Sequence, residues 1–345
     1  MGRTPTITPR QNARLTRRRS PPAAAINASP PQIVIVGGGL TGLAAAWELE
    51  TLGIGYTLIE VKPRLGGAIL TERRDGFTLD GTAFVFEKYG AWDFLEPLGL
   101  ADAIRYVGRY RDGRLAIFKT GTQTLTEALA ARITHPVMKR MAVSSVGRID
   151  DGRYGVCLEN GLLIPADGLI LCIPARHIAH MLYSLHPEAA LLFDGYTYDA
   201  VVRVHLGYHK RDFDPSLPLP ALPPTIKYLE TYDYPDRVPA DHLLIRAGVR
   251  LPDPAPRTLD THALSAAVRG IIPTRAEPTL TWTYYWGEAD PLTRHLPEFQ
   301  AALDQVDRLL PPTVAIAGSD YRARRLDQQV RDGRAAAHKV TAALR

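Results

Sequence analysis

Cysteine is nearly absent: Cys157 and Cys172 are the only two in 345 residues. Both fall in apolar, strand-like stretches and read as packing residues of a reducing compartment, which excludes a disulfide framework. No uninterrupted apolar run approaches the roughly 18 residues of a membrane-spanning helix, so peripheral contact is the only membrane association to consider. Acids are missing from residues 1–30, where six arginines stand (Arg3, Arg10, Arg14, Arg17, Arg18 and Arg19). Taking these six from 41 basic residues leaves 35 against 36 acidic ones, so residues 31–345 carry a net charge of −1. A neutral body offers little to the counterion-release term behind nucleic-acid affinity, and nucleic acid is excluded as a partner. The basic tail lacks the apolar region of a secretory signal and a clear amphipathic stripe. It reads as a disordered leader on a cytoplasmic protein, with organelle targeting as the second reading. No Gly-x-Ser-x-Gly, H-E-x-x-H or P-loop pattern occurs, which removes the common hydrolase and kinase chemistries. His177, His180 and His186 with Cys172 match no tetrahedral zinc spacing, so no metal site is expected.

What is present is an ordinary globular composition, 46% hydrophobic and 22% charged, in a chain long enough for two domains at about 150 residues each. The most informative stretch follows Pro30-Pro31. Gln32 to Val36 is a β-branched run, Gly37-Gly38-Gly39-Leu40-Thr41-Gly42 is a turn, and Leu43 to Leu52 has helical periodicity ending at Gly53. Tyr56 to Ile59 is a second strand-like run, closed by Glu60, 18 residues beyond Gly42. Gly37 permits the tight turn, Gly39 lets the backbone approach a pyrophosphate, and Gly42 lets helix and strand pack closely. The helix N-terminus, reached through Leu40 and Thr41 of the turn, offers unsatisfied N–H groups to the anion. Glu60 can accept both hydroxyls of an adenosine ribose and repels a 2′-phosphate, which disfavours NADP. Strand, turn, helix and terminal acid together predict a dinucleotide site.

The segments that follow carry a resemblance. Arg64-Leu65-Gly66-Gly67 after Glu60, Gly76-Phe77-Thr78-Leu79-Asp80-Gly81, Thr124 to Arg132, Gly168 to Ala175, Ala317 to Arg322 and Arg331 to Ala337 resemble the flavin-containing amine oxidase superfamily. Within it, they are most similar to the FAD-dependent protoporphyrinogen oxidases. The resemblance runs from about residue 32 to the C-terminus. It implies an α/β fold: a Rossmann-like FAD-binding domain of the GR2 type, discontinuous in sequence, with an inserted antiparallel-β substrate domain. The expected division is a tail at 1–30, an FAD-binding domain from 31–83, 120–190 and 311–345, and a reduced substrate domain from 84–119 and 191–310.

For the site, the resemblance implies FAD with its pyrophosphate at Gly37, Gly39 and Gly42, its adenosine ribose at Glu60, and Arg64, Gly66 and Gly67 along the pyrophosphate and ribityl portion. Val143 matches the valine whose backbone meets the adenine. Gly318 and Asp320 would lie by the ribityl phosphate, and the helix through Val330 would aim its N-terminus at the flavin pyrimidine edge, stabilising negative charge on the reduced ring. The chain departs from the family pattern at Ala68, where arginine is usual, and at Ala323-Arg324-Arg325, where glycines are usual. The long helical section that relatives place between the strand Gly113–Phe118 and the segment from Gly121 is missing, and Lys119-Thr120 joins them directly. Its loss opens the substrate side, which leaves room for a wider substrate or for a protein partner that closes the site.

Alternating patterns at 200–208, 225–230, 242–249 and 279–286 predict the antiparallel sheet. A flavin enzyme needs no acid–base constellation, because the cofactor takes the hydride and passes electrons to O2 or another acceptor. No catalytic residue is assigned. Tyr321 and Arg203 are the candidates for the pocket, Arg203 because a porphyrin's propionates suit an arginine fork. The reading is an FAD-dependent oxidoreductase acting on a tetrapyrrole or similar conjugated small molecule. An amine oxidase or a carotenoid-type desaturase or isomerase of the same fold is the alternative, and a degenerate FAD-binding docking protein is the third.

Overall fold

A computed structural model describes residues 33–213 and 221–345. The expected tail at 1–30 lies outside the described residues.

The chain opens with β1 (Ile33–Val36), α1 (Leu40–Leu52) and β2 (Tyr56–Glu60), followed by β3 (Thr71–Arg74), β4 (Phe77–Asp80), β5 (Phe86–Lys88), β6 (Ile104–Tyr110) and β7 (Gly113–Phe118). Next come α2 (Gln123–Ala130), β8 (Val137–Lys139), β9 (Val143–Arg148), β10 (Tyr154–Leu158), β11 (Leu163–Ala166), β12 (Gly168–Leu171), α3 (Ala175–Leu182) and α4 (Pro187–Leu191). The remainder is β13 (Val201–His209), β14 (Ile226–Tyr232), β15 (His242–Arg250), α5 (Thr261–Arg269), β16 (Leu280–Tyr285), α6 (Pro297–Leu309), β17 (Val314–Ile316) and α7 (Leu326–Ala343).

Five of these strands form a parallel sheet in the order β17-β12-β1-β2-β8. Both faces are covered, which is why β1 reads as an unbroken apolar run. Alternate residues go to opposite sides: Ile33 and Ile35 join a core with Leu43, Leu58 and Val330, while Val34 and Val36 join one with Val156, Leu171 and Leu303. The helix α7 crosses α1 at Gly333, where a Cβ would stand 2.2 Å from the carbonyl oxygen of Thr41.

The four alternating patterns form a second, antiparallel sheet in the order β14-β15-β13-β16. Val202, Val204, Leu206, Ile245 and Ala247 pack with Val268 of α5 on one face. The other face carries Arg203, His205, Arg246, Trp282 and Tyr284. It meets the β3–β4 hairpin, which packs Phe77 and Leu79 against Leu280 and Trp282. An α/β fold with a parallel Rossmann-like sheet and an inserted antiparallel one is therefore what the chain adopts.

Two parts of the expected division pack differently. Phe84 and Val85 pack on the antiparallel lobe, but most of residues 86–119 do not: Phe86, Trp92, Phe94, Leu98 and Phe118 share one core with α1, α2 and α7. Helix α6 likewise packs through Phe299, Leu303 and Val306 on the second face of the parallel sheet. In both cases the large apolar side chains are buried against the lobe of the parallel sheet.

Asp80, in the Gly-Phe-x-x-Asp-Gly motif, is a structural bolt. It pairs at 2.7 Å with Arg237, both side chains being essentially inaccessible. It also accepts from Thr71 Oγ1 at 2.6 Å and from Thr122 Oγ1 at 2.8 Å. Arg237 further donates to the carbonyls of Thr78 and Phe118, at 3.0 Å each from Nη2 and Nη1. One ion pair thus ties hairpin, antiparallel lobe and the start of α2 together.

Beside it, His205 is fully buried, its Nε2 lies 3.1 Å from the carbonyl of Asp80, and Nδ1 has no partner. Burial, reinforced by the Arg246 guanidinium, pushes its pKa well below the usual histidine value. The neutral ring is therefore the folded form. Its contribution is present above the unfolded pKa near 6.5 and is lost as pH falls through that value, at up to about 1.4 kcal/mol per pH unit. Thermal melts between pH 7 and pH 5 are expected to show this loss, and His205→Asn to flatten the slope.

Candidate functional site

A cleft of about 710 Å3 opens at the C-terminal edge of the parallel sheet, where α/β sheets place their ligands. The first glycine turn forms its floor. Gly37 has a φ of +103° and a Cβ there would stand 2.3 Å from the carbonyl oxygen of Cys172, so only glycine fits. Gly42 does not line the cleft: a Cβ there would be 1.9 Å from the carbonyl oxygen of Gly37, and its role is the close packing of α1 on the turn. Gly39, Leu40 and Thr41 line it. Gly39 is the N-cap of α1 and supplies no side-chain cap, and the first turn holds no acid. The N–H groups and the positive end of the helix dipole are left for an anion.

Glu60 is buried at the next strand end. Its two oxygens accept from the backbone N–H of Gly38 and of Lys62, each at 2.7 Å, which fixes the carboxylate and leaves it free lone pairs for hydroxyls. Gly66 and Gly67 form a second backbone wall resting on the first: Gly66 N donates to the carbonyl of Gly38 at 2.8 Å, and a Cβ on Gly67 would meet Gly39 Cα at 3.0 Å.

The structure changes the place of Arg64. Its guanidinium does not line the cleft. It donates to the carbonyls of Leu65, Gly67 and Ile69 at 3.3, 2.7 and 3.0 Å, clamping the second glycine loop from behind. Val143 lines the far end with Met141, Ser144 and Glu159. Gly318, at a φ of +144°, lines the near end and donates its N–H to Asp332 at 2.8 Å. Asp320 lines it as well, accepting from Ala175 N at 3.0 Å and from the Tyr198 hydroxyl. Burial raises its pKa, and these hydrogen bonds only partly offset that.

Three further candidates lie outside the cleft lining. Val330 is fully buried in the core, and its neighbour Gln329 is the α7 residue that faces the cleft. Tyr321 is buried with its hydroxyl donating to the carbonyl of Ile173 at 2.7 Å. Arg203 is buried on the antiparallel sheet, bound to Asp290 and to the carbonyl of Val201. An arginine already paired with a carboxylate has little fork left for a substrate acid.

Several lining residues were not assigned to the site from the sequence: Lys62, His177, Trp286 and Glu288. Trp286 and Glu288 follow β16 and face loops of the nucleotide lobe. Lys62 Nζ lies 5.5 Å and the Arg64 guanidinium 5.9 Å from the Trp286 ring centre, and Arg176 reaches Glu288 at 3.4 Å. Tyr284 donates to the carbonyl of Ala68 at 2.6 Å. The aromatic at the end of the 279–286 alternation was the only sequence signal for this wall.

The shape fits a dinucleotide. The two glycine walls exclude side chains where a diphosphate would lie, the helix end is uncapped, and the fixed carboxylate stands one strand away.

Comparison with known proteins agrees. Residues 35–98 match the NAD(P)-binding Rossmann-like domain, and residues 103–341 match the flavin containing amine oxidoreductase family. Coproporphyrinogen III oxidase of Propionibacterium freudenreichii subsp. freudenreichii is 40% identical over 80 residues, 23% of this chain and 15% of that protein. Its counterpart in Bacillus subtilis is 40% identical over 76 residues, 20% of this chain and 16% of that protein. The matched stretches are thus a small part of either relative. Among solved structures, a protein from Exiguobacterium sp. 255-15 described as a protoporphyrinogen oxidase superposes with a TM-score of 0.73 at 17% identity, covering 92% of this chain and 99% of that one. A putrescine oxidase superposes with a TM-score of 0.66 at 15% identity, covering 90% and 99%. At such identities these likenesses establish the fold. Among the described residues no helix is long and apolar enough to cross a membrane.

Proposed function

Because the chain belongs to the flavin containing amine oxidoreductase family and its cofactor is FAD, we propose that it dehydrogenates a porphyrinogen-type tetrapyrrole, passing the electrons on to O2 or another acceptor. The observation that carries this reading is the pair of stacked glycine walls beside a fixed carboxylate, in a chain with stretches 40% identical to coproporphyrinogen III oxidases. Bound FAD supplies the two-electron acceptor.

The protein's own residues bind and orient. The N–H groups of Gly39, Leu40 and Thr41 hold the diphosphate, with Gly37 and Gly42 shaping the turn and Arg64 holding Gly66 and Gly67 against it. Glu60 takes the adenosine ribose, Val143 the adenine, and Gly318 and Asp320 the ribityl side. The α7 turn carrying Gln329 and Val330 sets a positive dipole end toward the pyrimidine edge. The Trp286 face gives a flat conjugated ring a stacking surface of the same kind. A protein partner over the substrate side remains part of the proposal, since only the short stretch from Lys119 to Thr122 joins β7 to α2.

Anaerobic addition of coproporphyrinogen or protoporphyrinogen to the FAD-loaded protein is expected to bleach the oxidised-flavin absorbance, two electrons per FAD, and admitting O2 to let repeated turnover complete the six-electron oxidation to a fluorescent porphyrin faster than in a protein-free control. Bleaching by a primary amine or a carotene with no response to either porphyrinogen would replace this reading by the amine oxidase or desaturase one. Bleaching by none of them would leave a docking protein.

A further inference from the structure

The β6–β7 hairpin lies outside the cleft and concentrates charge that the rest of the body lacks. Residues 105–119 hold five basic side chains (Arg105, Arg109, Arg111, Arg114 and Lys119) and one acid, Asp112, in a body whose net charge from residue 31 onward is −1. Strand β6 is the outer strand of the sheet ordered β5-β7-β6. Arg105 pairs with Asp236, whereas Arg109, Arg111 and Arg114 are exposed and enter no ion pair among the described residues. Interleaved with them, Tyr106 and Tyr110 are 41% and 43% exposed. The Arg114 guanidinium lies 3.4 Å from the Tyr106 ring centre and that of Arg111 5.2 Å from Tyr110.

Charged side chains and a register shift between Tyr106 and Gly108 are the ordinary protection of an edge strand against pairing with another. That protection accounts for the arginines. It gives no reason to leave two tyrosines in water, each stacked under a cation. We propose that this hairpin docks the protein on an anionic lipid surface, the tyrosine rings seated at headgroup level and the arginines on lipid phosphates. Tyrosine is the residue of such interfaces, with an apolar body and a polar tip. Arginine binds phosphate in bidentate fashion. A second copy of the chain is a poor occupant, because it would bring the same cations face to face. A nucleic-acid duplex would draw on a field wider than one hairpin, and the neutral body supplies none.

The test uses the full chain loaded with FAD and sedimented with vesicles of phosphatidylcholine, with or without phosphatidylglycerol at about one lipid in three. Binding is expected only to the anionic vesicles, with slowed amide exchange in residues 104–114. A basic side chain near such a surface is worth about fivefold in partition, so Arg109→Gln/Arg111→Gln/Arg114→Gln should lower it on the order of 100-fold. Tyr106→Ser/Tyr110→Ser should lower it at unchanged charge, the arm that separates lipid insertion from plain electrostatics. Retained FAD and an unchanged melt certify that both variants fold. Binding that neither variant alters, as residues 1–30 alone would produce, overturns the proposal. So does hairpin-dependent retention of a DNA duplex with no affinity for the vesicles.

Discussion

Replacing Gly39 by valine is expected to give a folded protein that no longer retains FAD. Gly39 has a φ of −74° and a ψ of −175°, a conformation open to any residue, and the only atom a Cβ would approach within 4 Å is Gly67 Cα, at 3.8 Å. The space around the Cβ is open, and the thermal midpoint of the cofactor-free protein should move by only about 2–4 °C, the change that roughly 1 kcal/mol of lost N-cap preference produces. The methyl groups instead stand over the N-terminus of α1, where the diphosphate would lie. Each charge-assisted hydrogen bond denied to it removes about 1.5–3 kcal/mol, so two such losses reduce affinity by at least about 100-fold. Gly42→Val is the contrasting control. Its Cβ would collide with the Gly37 carbonyl at 1.9 Å, so the cofactor-free protein itself should melt earlier. FAD retention measured beside the cofactor-free melt separates a blocked site from a damaged fold.

The second large effect is expected from Asp80→Ala. The substitution leaves Arg237, with no accessible side-chain surface, facing carbonyls alone, and it takes from the Thr71 and Thr122 hydroxyls and from Thr122 N–H the carboxylate they share. Breaking a buried pair by removing one partner costs about 3–5 kcal/mol, because the remaining charge is uncompensated. Urea titration of the cofactor-free protein should show a loss of that size. The double variant Asp80→Leu/Arg237→Met should recover part of it, since Phe84 already packs against the guanidinium at 4.2 Å and can receive an apolar chain. A loss below about 1 kcal/mol, the range of exposed pairs, would contradict the structural role given to Asp80.

The glycine turns and the sheets were legible in the sequence because they are locally determined. A left-handed backbone at Gly37 and a missing Cβ at Gly42 leave a mark at one position, and period-two alternation marks strands β13 to β16 directly. The allocation of residues 84–119 was not legible, because Trp92, Phe94 and Phe118 are apolar under either assignment and only the packed structure says which core they enter. Site residues chosen by motif position failed where direction mattered. One step along α7 turns the side chain by about 100°, so Gln329 faces the cleft and Val330 the core. Arg64 belongs to its motif, yet its donors are spent on the loop carbonyls behind the glycines. Tyr321 and Arg203 carried suitable chemistry, but their hydrogen bonds turn them toward Ile173 and Asp290. Trp286 and Glu288 reach the cleft through tertiary contacts that no local pattern records.

The most direct measurement is a titration of free FAD with the cofactor-stripped full chain, following flavin fluorescence, with ADP and FMN as separate competitors. One FAD should bind per chain. ADP, which carries the diphosphate and the ribose that meet the glycine turn and Glu60, should compete, and FMN should compete far more weakly. Fluorescence that the protein leaves unchanged, or that FMN reverses and ADP does not, would contradict the grip assigned to the turn between β1 and α1.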